Sequence, residues 1–469
     1  MANLCQLTIQ EAQEGLKEKK FSSVELVTSC LEQIKKHNSQ INAFITVCEK
    51  EALREAEEAD KIYNKQQRAD NKELLGIPIA IKDNFCTKGI RTTAASKVLE
   101  DYVPVYDATV VARLKKAGAI IIGKANHDAW AHGSSGENSD FGPTKNPYDL
   151  ERVPGGSSSG SAAATAMHMC LAATGTDTGG SVRLPASFCN TVGLKPTYGR
   201  VSRYGVIAMA SSLDAIGHLT KTVYDSALIL NVTAGIDGKD ATCPAVPVPD
   251  YTLNINKGIK DCKIGVPKEY FIEGVEEKVK EKVKEVLSIL ENLGAKIVEI
   301  SLPHTQYATA AYYLIQTAEV SSNLARYDGI RYGYERQRFG DEAKRRIMLG
   351  TYSLSAGYYD QYYLKAQKVR TLIKEDFDKA FAICDCLLAP VSPTLPFKLG
   401  EKTDDPLKMY LSDIFTVTAN LAGIPALAIP AGFSCGLPVG IQILGPQFSE
   451  ELLFQVGFAF EQSIKNLSL

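Results

Sequence analysis

The stretch Val153–Pro196, VPGGSSSGSAAATAMHMCLAATGTDTGGSVRLPASFCNTVGLKP, governs how the rest of the chain is read. It carries two glycine-serine clusters, Gly155-Gly156-Ser157-Ser158-Ser159-Gly160 and Gly179-Gly180-Ser181, with the small-residue run Ser161-Ala162-Ala163-Ala164-Thr165-Ala166 between them. Glycine reaches backbone conformations closed to other residues, and small side chains let backbones approach closely. Glycine-serine runs are more often flexible linkers. Here, however, the segment between the clusters reads as an apolar helix bearing Ala166, Met167, Met169, Leu171 and Ala172, and the second cluster runs into Val182 and Leu184. Linkers rarely have such neighbours. The pattern predicts a buried helix flanked by a site where backbone amides and hydroxyls converge.

Upstream, Leu74-Leu75-Gly76-Ile77-Pro78-Ile79-Ala80-Ile81-Lys82 reads as a buried strand that ends in a lysine. Most lysines are solvated surface groups. One that emerges from an apolar strand can instead be desolvated, which lowers its pKa and frees a neutral amine. Residues 107–125 read as helix then strand. Gly118-x-x-x-x-Gly123-Lys124 falls near a phosphate loop, but Ala125 replaces the required hydroxyl residue and Ala119-Ile120-Ile121-Ile122 is β-favouring, so a strand is expected. The polar loop 132–139, with Ser134, is expected to line a pocket rim.

Residues 8–68 read as mostly helical, and Thr8-Ile9-Gln10-Glu11 resembles a capping box. Beyond the central stretch, residues 195–200 and 211–214 read as ordered loops and turns, a Pro- and Val-rich linker spans about 240–260, and a strand-helix-strand unit follows over 263–300. Long helices are expected over about 305–380, with Tyr358, Tyr359, Tyr362 and Tyr363 as packing groups. Strands return at 387–391, 426–430 and 439–444. Helices and strands alternate throughout, which predicts an α/β fold around a largely internal sheet. One domain over residues 1–469 is expected: a helical segment to about 68, a core over about 70–240, and a helical and strand-rich remainder over about 260–469.

With 45% hydrophobic and 23% charged residues the chain can fill a large core, and a net charge of −2 offers no global basic field for nucleic acid. Eleven cysteines, an odd number without a CxxC pair, are no disulfide framework; Cys384 and Cys386 are expected as buried thiols on one strand face. Residues 1–20 do not read as a signal peptide, and no apolar run reaches membrane-spanning length. A cytoplasmic protein is expected. The six histidines, His37, His127, His132, His168, His218 and His304, sit in no metal-binding spacing, so no metal is expected, and the serines lie in no G-x-S-x-G elbow. The serines therefore need another base, for which a desolvated lysine is the chemically sensible candidate.

The blocks Gly76–Asn84, Gly155-Gly156-Ser157-Ser158 and Asp177-Thr178-Gly179-Gly180-Ser181-Val182-Arg183 resemble the three blocks of the amidase signature family. The spacings agree, Lys82 to Ser157 being 157 − 82 = 75 and Ser157 to Ser181 being 181 − 157 = 24. The resemblance implies the amidase signature fold, a large mixed central sheet flanked by helices on both faces. It implies Ser181 as nucleophile, Ser157 as a bridging serine on a cis peptide bond, and Lys82 as neutral general base. Amides of Thr178, Gly179, Gly180 and Ser181 would then form a nest for the developing oxyanion.

Later blocks extend the likeness over the whole chain: 195–205, 321–329, 345–350, 357–360 and 420–425. They resemble the branch of the family that serves as the glutaminase subunit of tRNA-dependent amidotransferases. That implies hydrolysis of glutamine to glutamate and ammonia, with no cofactor on this chain. It implies companion subunits B and C in a heterotrimer, in which ATP and Mg2+ are used by the partner to amidate Glu-tRNA(Gln), Asp-tRNA(Asn) or both. Arg346 would grip the α-carboxylate of glutamine and Asp413 its ammonium, with Tyr312 nearby and Ser134 on the rim. For Arg346 the plain alternative is a surface ion pair beside Arg345. Ser159 departs from the glycine usual in the family, and residues 126–133 depart from its usual text. A stand-alone amidase acting on small carboxamides is the alternative activity; a non-catalytic scaffold would not need Lys82, Ser157 and Ser181 together.

Overall fold

Two neighbouring strands that end at the same edge of one sheet deliver Lys82 and the turn that holds Ser181. In the computed structural model, which describes residues 3–65, 72–271, 273–331 and 333–467, the strands are β1 (Phe44–Val47), β2 (Pro78–Lys82), β3 (Ile120–Ala125), β4 (Ala172–Asp177), β5 (Val192–Lys195), β6 (Ala215–Thr220), β7 (Lys263–Pro267), β8 (Lys296–Ile300), β9 (Cys386–Pro390), β10 (Ala426–Ser434) and β11 (Leu437–Leu444). They form a mixed 11-stranded sheet in the order β1-β3-β2-β4-β6-β5-β10-β11-β9-β7-β8. β2 runs parallel to both β3 and β4, so all three finish at one edge. β6, β5, β10 and β11 are joined by antiparallel pairings, and parallel pairing resumes at β9, β7 and β8. Helices cover both faces. The inner strands are buried on both sides, which is why they lack hydrophobic alternation.

The expected capping box is present: Thr8 Oγ1 accepts from Glu11 N at 3.1 Å while Glu11 Oε2 accepts from Thr8 N at 2.8 Å. β1 interrupts the segment expected to be helical, and residues 66–68 of that segment lie outside the described residues. The helix after the first serine cluster is shorter than the sequence suggests. It covers Ser159–Ala166, His168 turns the chain at φ +55°, and Leu171 and Ala172 belong to the approach to β4 and to β4 itself. A helix of small residues alone fits because it is buried along nearly its whole length.

Residues 240–260 are no free linker. Tyr251, Ile255 and Ile259 enter the core, and Arg200 donates to Tyr251 Oη at 2.7 Å and to the carbonyls of Val246 and Pro247. Residues 120–125 form a buried strand as expected, with Lys124 paired to Asp83 at 3.3 Å, both fully buried. Cys384 and Cys386 are buried thiols, but they do not share a strand face: β9 begins at Cys386, and Cys384 precedes it, its Sγ donating to the Ala380 carbonyl at 3.2 Å. Tyr358, Tyr359 and Tyr362 are more exposed than packing groups would be and pair ring to ring among themselves and with Tyr352 and Tyr363 at the surface. No helix among the described residues is long and apolar enough to cross a membrane.

Candidate active site

Lys82 ends β2 inside the protein, fully buried, and among the described residues its amine has hydroxyl partners only. Nζ lies 2.9 Å from Ser157 Oγ, 2.9 Å from Ser158 Oγ and 2.8 Å from Thr176 Oγ1. Burial lowers its pKa to about 7, against the pull of Asp128, Asp177 and Asp214. A neutral amine donates two hydrogens and accepts one, so one of these oxygens must donate to it. Ser158 Oγ spends its hydrogen on the Thr176 carbonyl at 3.3 Å. Ser157, whose Oγ among the described residues hydrogen-bonds to the lysine alone, is the serine able to hand over a proton. The Gly156–Ser157 peptide bond is cis, as the resemblance implied.

Beyond the end of β4 the chain winds around one carboxylate. Asp177 Oδ1 accepts Gly180 N at 2.9 Å and Oδ2 accepts Val182 N at 3.1 Å, while Arg183 grips both oxygens at 3.1 Å. Burial raises the Asp177 pKa, but the Arg183 guanidinium outweighs it and holds the acid down at about 2. Arg183 is itself held by Gln442 at 2.8 Å and Asn420 at 2.6 Å. This buried knot holds Ser181 at 8% exposure, with its carbonyl accepting Ser158 N at 3.0 Å. Among the described residues no side-chain hydrogen bond fixes Ser181 Oγ, so the structure joins Lys82 to Ser157 directly and Ser181 to them through backbone.

The nest differs from expectation in one member. Gly180 is needed for its φ of +137°, and its N–H is already engaged by Asp177. That leaves the amides of Thr178, Gly179 and Ser181 for an oxyanion. Tyr312 presses on this turn: a Cβ at Gly179 would lie 2.5 Å from its ring.

The remaining predicted residues converge beside Tyr312. Asp413 Oδ2 accepts from Ser134 Oγ and from Tyr313 Oη, each at 2.8 Å, and burial raises its pKa to about 6 despite both donors. Arg346 is buried, not a surface cation. Its Nε donates to Glu342 Oε1 at 2.7 Å, and its guanidinium lies 5.6 Å from the Tyr313 ring centroid and 6.0 Å from that of Tyr410. A buried carboxylate and a buried guanidinium, both against Tyr313, are the two charges that the ends of an α-amino acid call for.

Sequence reasoning missed Ser158, Thr176, Tyr313, Asp214 and Asp128. Thr178 Oγ1 donates to Asp214 Oδ1 at 2.7 Å, tying the nest to a loop that reads in sequence as an ordinary turn. The doubled serine at 157–158 was the available signal for Ser158, and the paired tyrosines at 312–313 for Tyr313. The described residues contain no group of His, Cys, Asp or Glu that could hold a metal ion.

A lysine-serine centre on a glycine-rich turn defines a class of amide hydrolases, and the family comparison agrees: the Amidase family model matches residues 25–454, so the chain belongs to the amidase family. Within it, the chain is 56% identical to the A subunit of the glutamyl-tRNA(Gln) amidotransferase of Geobacter metallireducens, over 98% of each chain. The crystal structure of the corresponding A subunit from Thermotoga maritima superposes with a TM-score of 0.84 at 46% identity, covering 98% of this chain and 96% of that one. The native peptide amidase of Stenotrophomonas maltophilia superposes with a TM-score of 0.83 at 29% identity, covering 98% and 97%.

Proposed function

We propose that this chain is the glutaminase subunit of a tRNA-dependent amidotransferase, acting as one amidase unit over its whole length. Glutamine enters with its carboxylate toward Arg346 and its ammonium toward Asp413, which places the side-chain amide against the 178–181 turn. Ser181 Oγ attacks the amide carbon while its proton passes through Ser157 to the neutral Lys82. The oxyanion is held by the amides of Thr178, Gly179 and Ser181. Collapse of the tetrahedral intermediate expels ammonia, which takes up the proton from Lys82 through Ser157. Water then attacks the acyl-enzyme by the same relay and releases glutamate.

Ammonia passes to a partner subunit that uses ATP and Mg2+ to activate the tRNA-borne glutamate of Glu-tRNA(Gln), or the aspartate of Asp-tRNA(Asn). Companion subunits B and C complete the enzyme, in the cytoplasm. The observation that carries this reading is the buried Lys82 amine ringed by hydroxyls, with the buried Asp413 and Arg346 meeting at Tyr313. The test is ammonia release from glutamine by the chain alone and with its partners, ATP and Glu-tRNA, with Ser181→Ala as control. Partner-stimulated release that the mutant lacks supports the reading. Equal activity alone, with a preference for other amides, would favour a stand-alone amidase.

A further inference from the structure

Asp128 is a fully buried carboxylate that the steps above do not use. It follows His127 in the stretch that departs from the family text, and it is wrapped by backbone. Oδ1 accepts Asn138 N at 2.9 Å, and Gly136 N lies 3.1 and 3.0 Å from the two oxygens. A Cβ at Gly133 would sit 2.5 to 2.8 Å from the carboxylate, and one at Gly156 would collide with it. The Asp128 N–H donates to the Ser157 carbonyl at 3.3 Å, and Gly156 N–H donates to the Ser134 carbonyl at 2.8 Å. The acid is thus wedged between the peptide that aims Ser157 at Lys82 and the loop whose Ser134 meets Asp413.

We propose that Asp128 is a positioning residue: its carboxylate locks the Gly156–Ser157 backbone against the 133–138 loop, and its negative charge sets the pH at which Lys82 becomes a base. The proposal rests on the glutaminase reading above. The charged and titratable groups around the pair are few. Lys82 on β2 and Glu137 on the loop act on Asp128; Asp177 beyond β4 and Asp214 on the loop before β6 act on Lys82. His127 sets its Nδ1 2.7 Å from the Asp128 carbonyl oxygen, and burial holds its pKa far below the ordinary value, so it adds no charge. His132, equally buried, is neutral for the same reason. Burial pushes the Asp128 pKa up to about 7, opposed by its two backbone donors, and Lys82 stands at about 7 as well. Two interacting groups in one range titrate as a pair, so the acid limb of the rate profile belongs to both.

Three enzymes decide the matter: wild type, Asp128→Asn and Asp128→Glu, each with a melting curve and a pH profile of glutamine kcat/KM. Without the negative charge Lys82 holds its proton less tightly. The Asn variant should therefore move the acid limb down by about one pH unit. Slackened Ser157 geometry should also lower its plateau kcat about tenfold to a hundredfold. The Glu variant restores the charge but displaces the oxygens, so it should return the limb to the wild-type position while kcat stays low. An Asn limb that does not move, with activity lost only in proportion to folded protein, would reduce Asp128 to packing and overturn the proposal. Should the Asn variant not fold, the Glu variant decides alone: a wild-type limb with lowered kcat supports the proposal and a wild-type kcat overturns it. Wild-type enzyme without Ser181-dependent ammonia release would sink the glutaminase reading and this one together, whereas an active wild type with an unmoved limb sinks this one only.

Discussion

The two halves of the site follow opposite plans. The half proposed for chemistry is drawn from residues 82–183 and is set mainly by backbone: two strand ends, the Gly156–Ser157 peptide and a turn wound on Asp177 and Arg183, all buried. The half proposed for recognition hangs on side chains of separate elements, Tyr312 and Tyr313 on the helix Ala308–Leu324, Arg346 on the helix Asp341–Ser353, and Asp413 on the short turn Leu411–Asp413. Its outer flank carries the exposed Met348, Tyr352 and Leu411. Bond-making tolerates little misplacement, whereas a binding pocket needs complementary charge within reach. The first half should therefore fail outright when altered, and the second by degrees.

The largest effect expected is that of Ser181→Ala. It should lower glutamine hydrolysis by about 10⁴-fold or more, with glutamine still bound, because it leaves Arg346 and Asp413 untouched. Isothermal titration beside an ammonia assay checks both. Loss of binding along with rate would break the division into halves. Lys82→Met comes next, with a fall of about 10² to 10⁴ expected from removing a general base. In the wild type the rate should rise with pH through about 7, because burial lowers the Lys82 pKa to about 7 and only the neutral amine accepts the serine proton. A rate that falls as pH rises through that range would count against Lys82 as base.

How much of this was legible follows the same division. Glycines and serines embedded in an apolar segment are hard to explain as core, so Ser157, Gly179, Gly180 and Ser181 stand out. A lysine closing an apolar strand stands out for the same reason. What stays hidden is whatever the neighbours decide. Ala172-Ala173-Thr174-Gly175 gives no strand signal by itself, because both of its faces are covered and small residues suit helix and strand alike. Nothing in the letters says that Asp177 takes up the Gly180 amide, or that Asp128 turns inward among glycines, since both depend on how loops close. Tyr251 reads as part of a linker because its partner, Arg200, lies fifty-one residues away. Arg346 and Asp413 become visible only through family likeness, for a charged residue on an amphipathic helix ordinarily reads as solvated surface.

Arg346→Lys probes the graded half. A lysine keeps the charge but not the planar fork, so the loss should appear as a rise in KM for glutamine of about tenfold to a hundredfold, the worth of one charged hydrogen bond, with kcat changed far less. The Asp413 carboxyl, raised to about 6 by burial, adds a pH test. Below about 6 it becomes neutral and loses its hold on the ammonium, so KM should climb as pH falls, on top of the Lys82 effect on rate. A KM flat from about pH 5 to 8 in steady-state kinetics would remove Asp413 from the pocket.

The smallest effect belongs to Ser159→Gly, which restores the residue usual in the family inside the half that should tolerate least. Ser159 is buried at the start of the Ser159–Ala166 helix, and its hydroxyl makes one weak bond, to Thr144 Oγ1 at 3.3 Å. Losing that bond and freeing the backbone should cost about 1 kcal/mol. In a chain of this size that lowers the melting temperature by roughly 1 °C. Neither term reaches Lys82, because Ser157 and Ser158 are held by the lysine itself, by Thr176 and by the Ser181 carbonyl, none of which Ser159 touches. The glutamine kcat/KM should therefore stay within about twofold of wild type. A tenfold loss instead would mean that the helix start transmits to the serines, and the rigid half would have to be redrawn to include it.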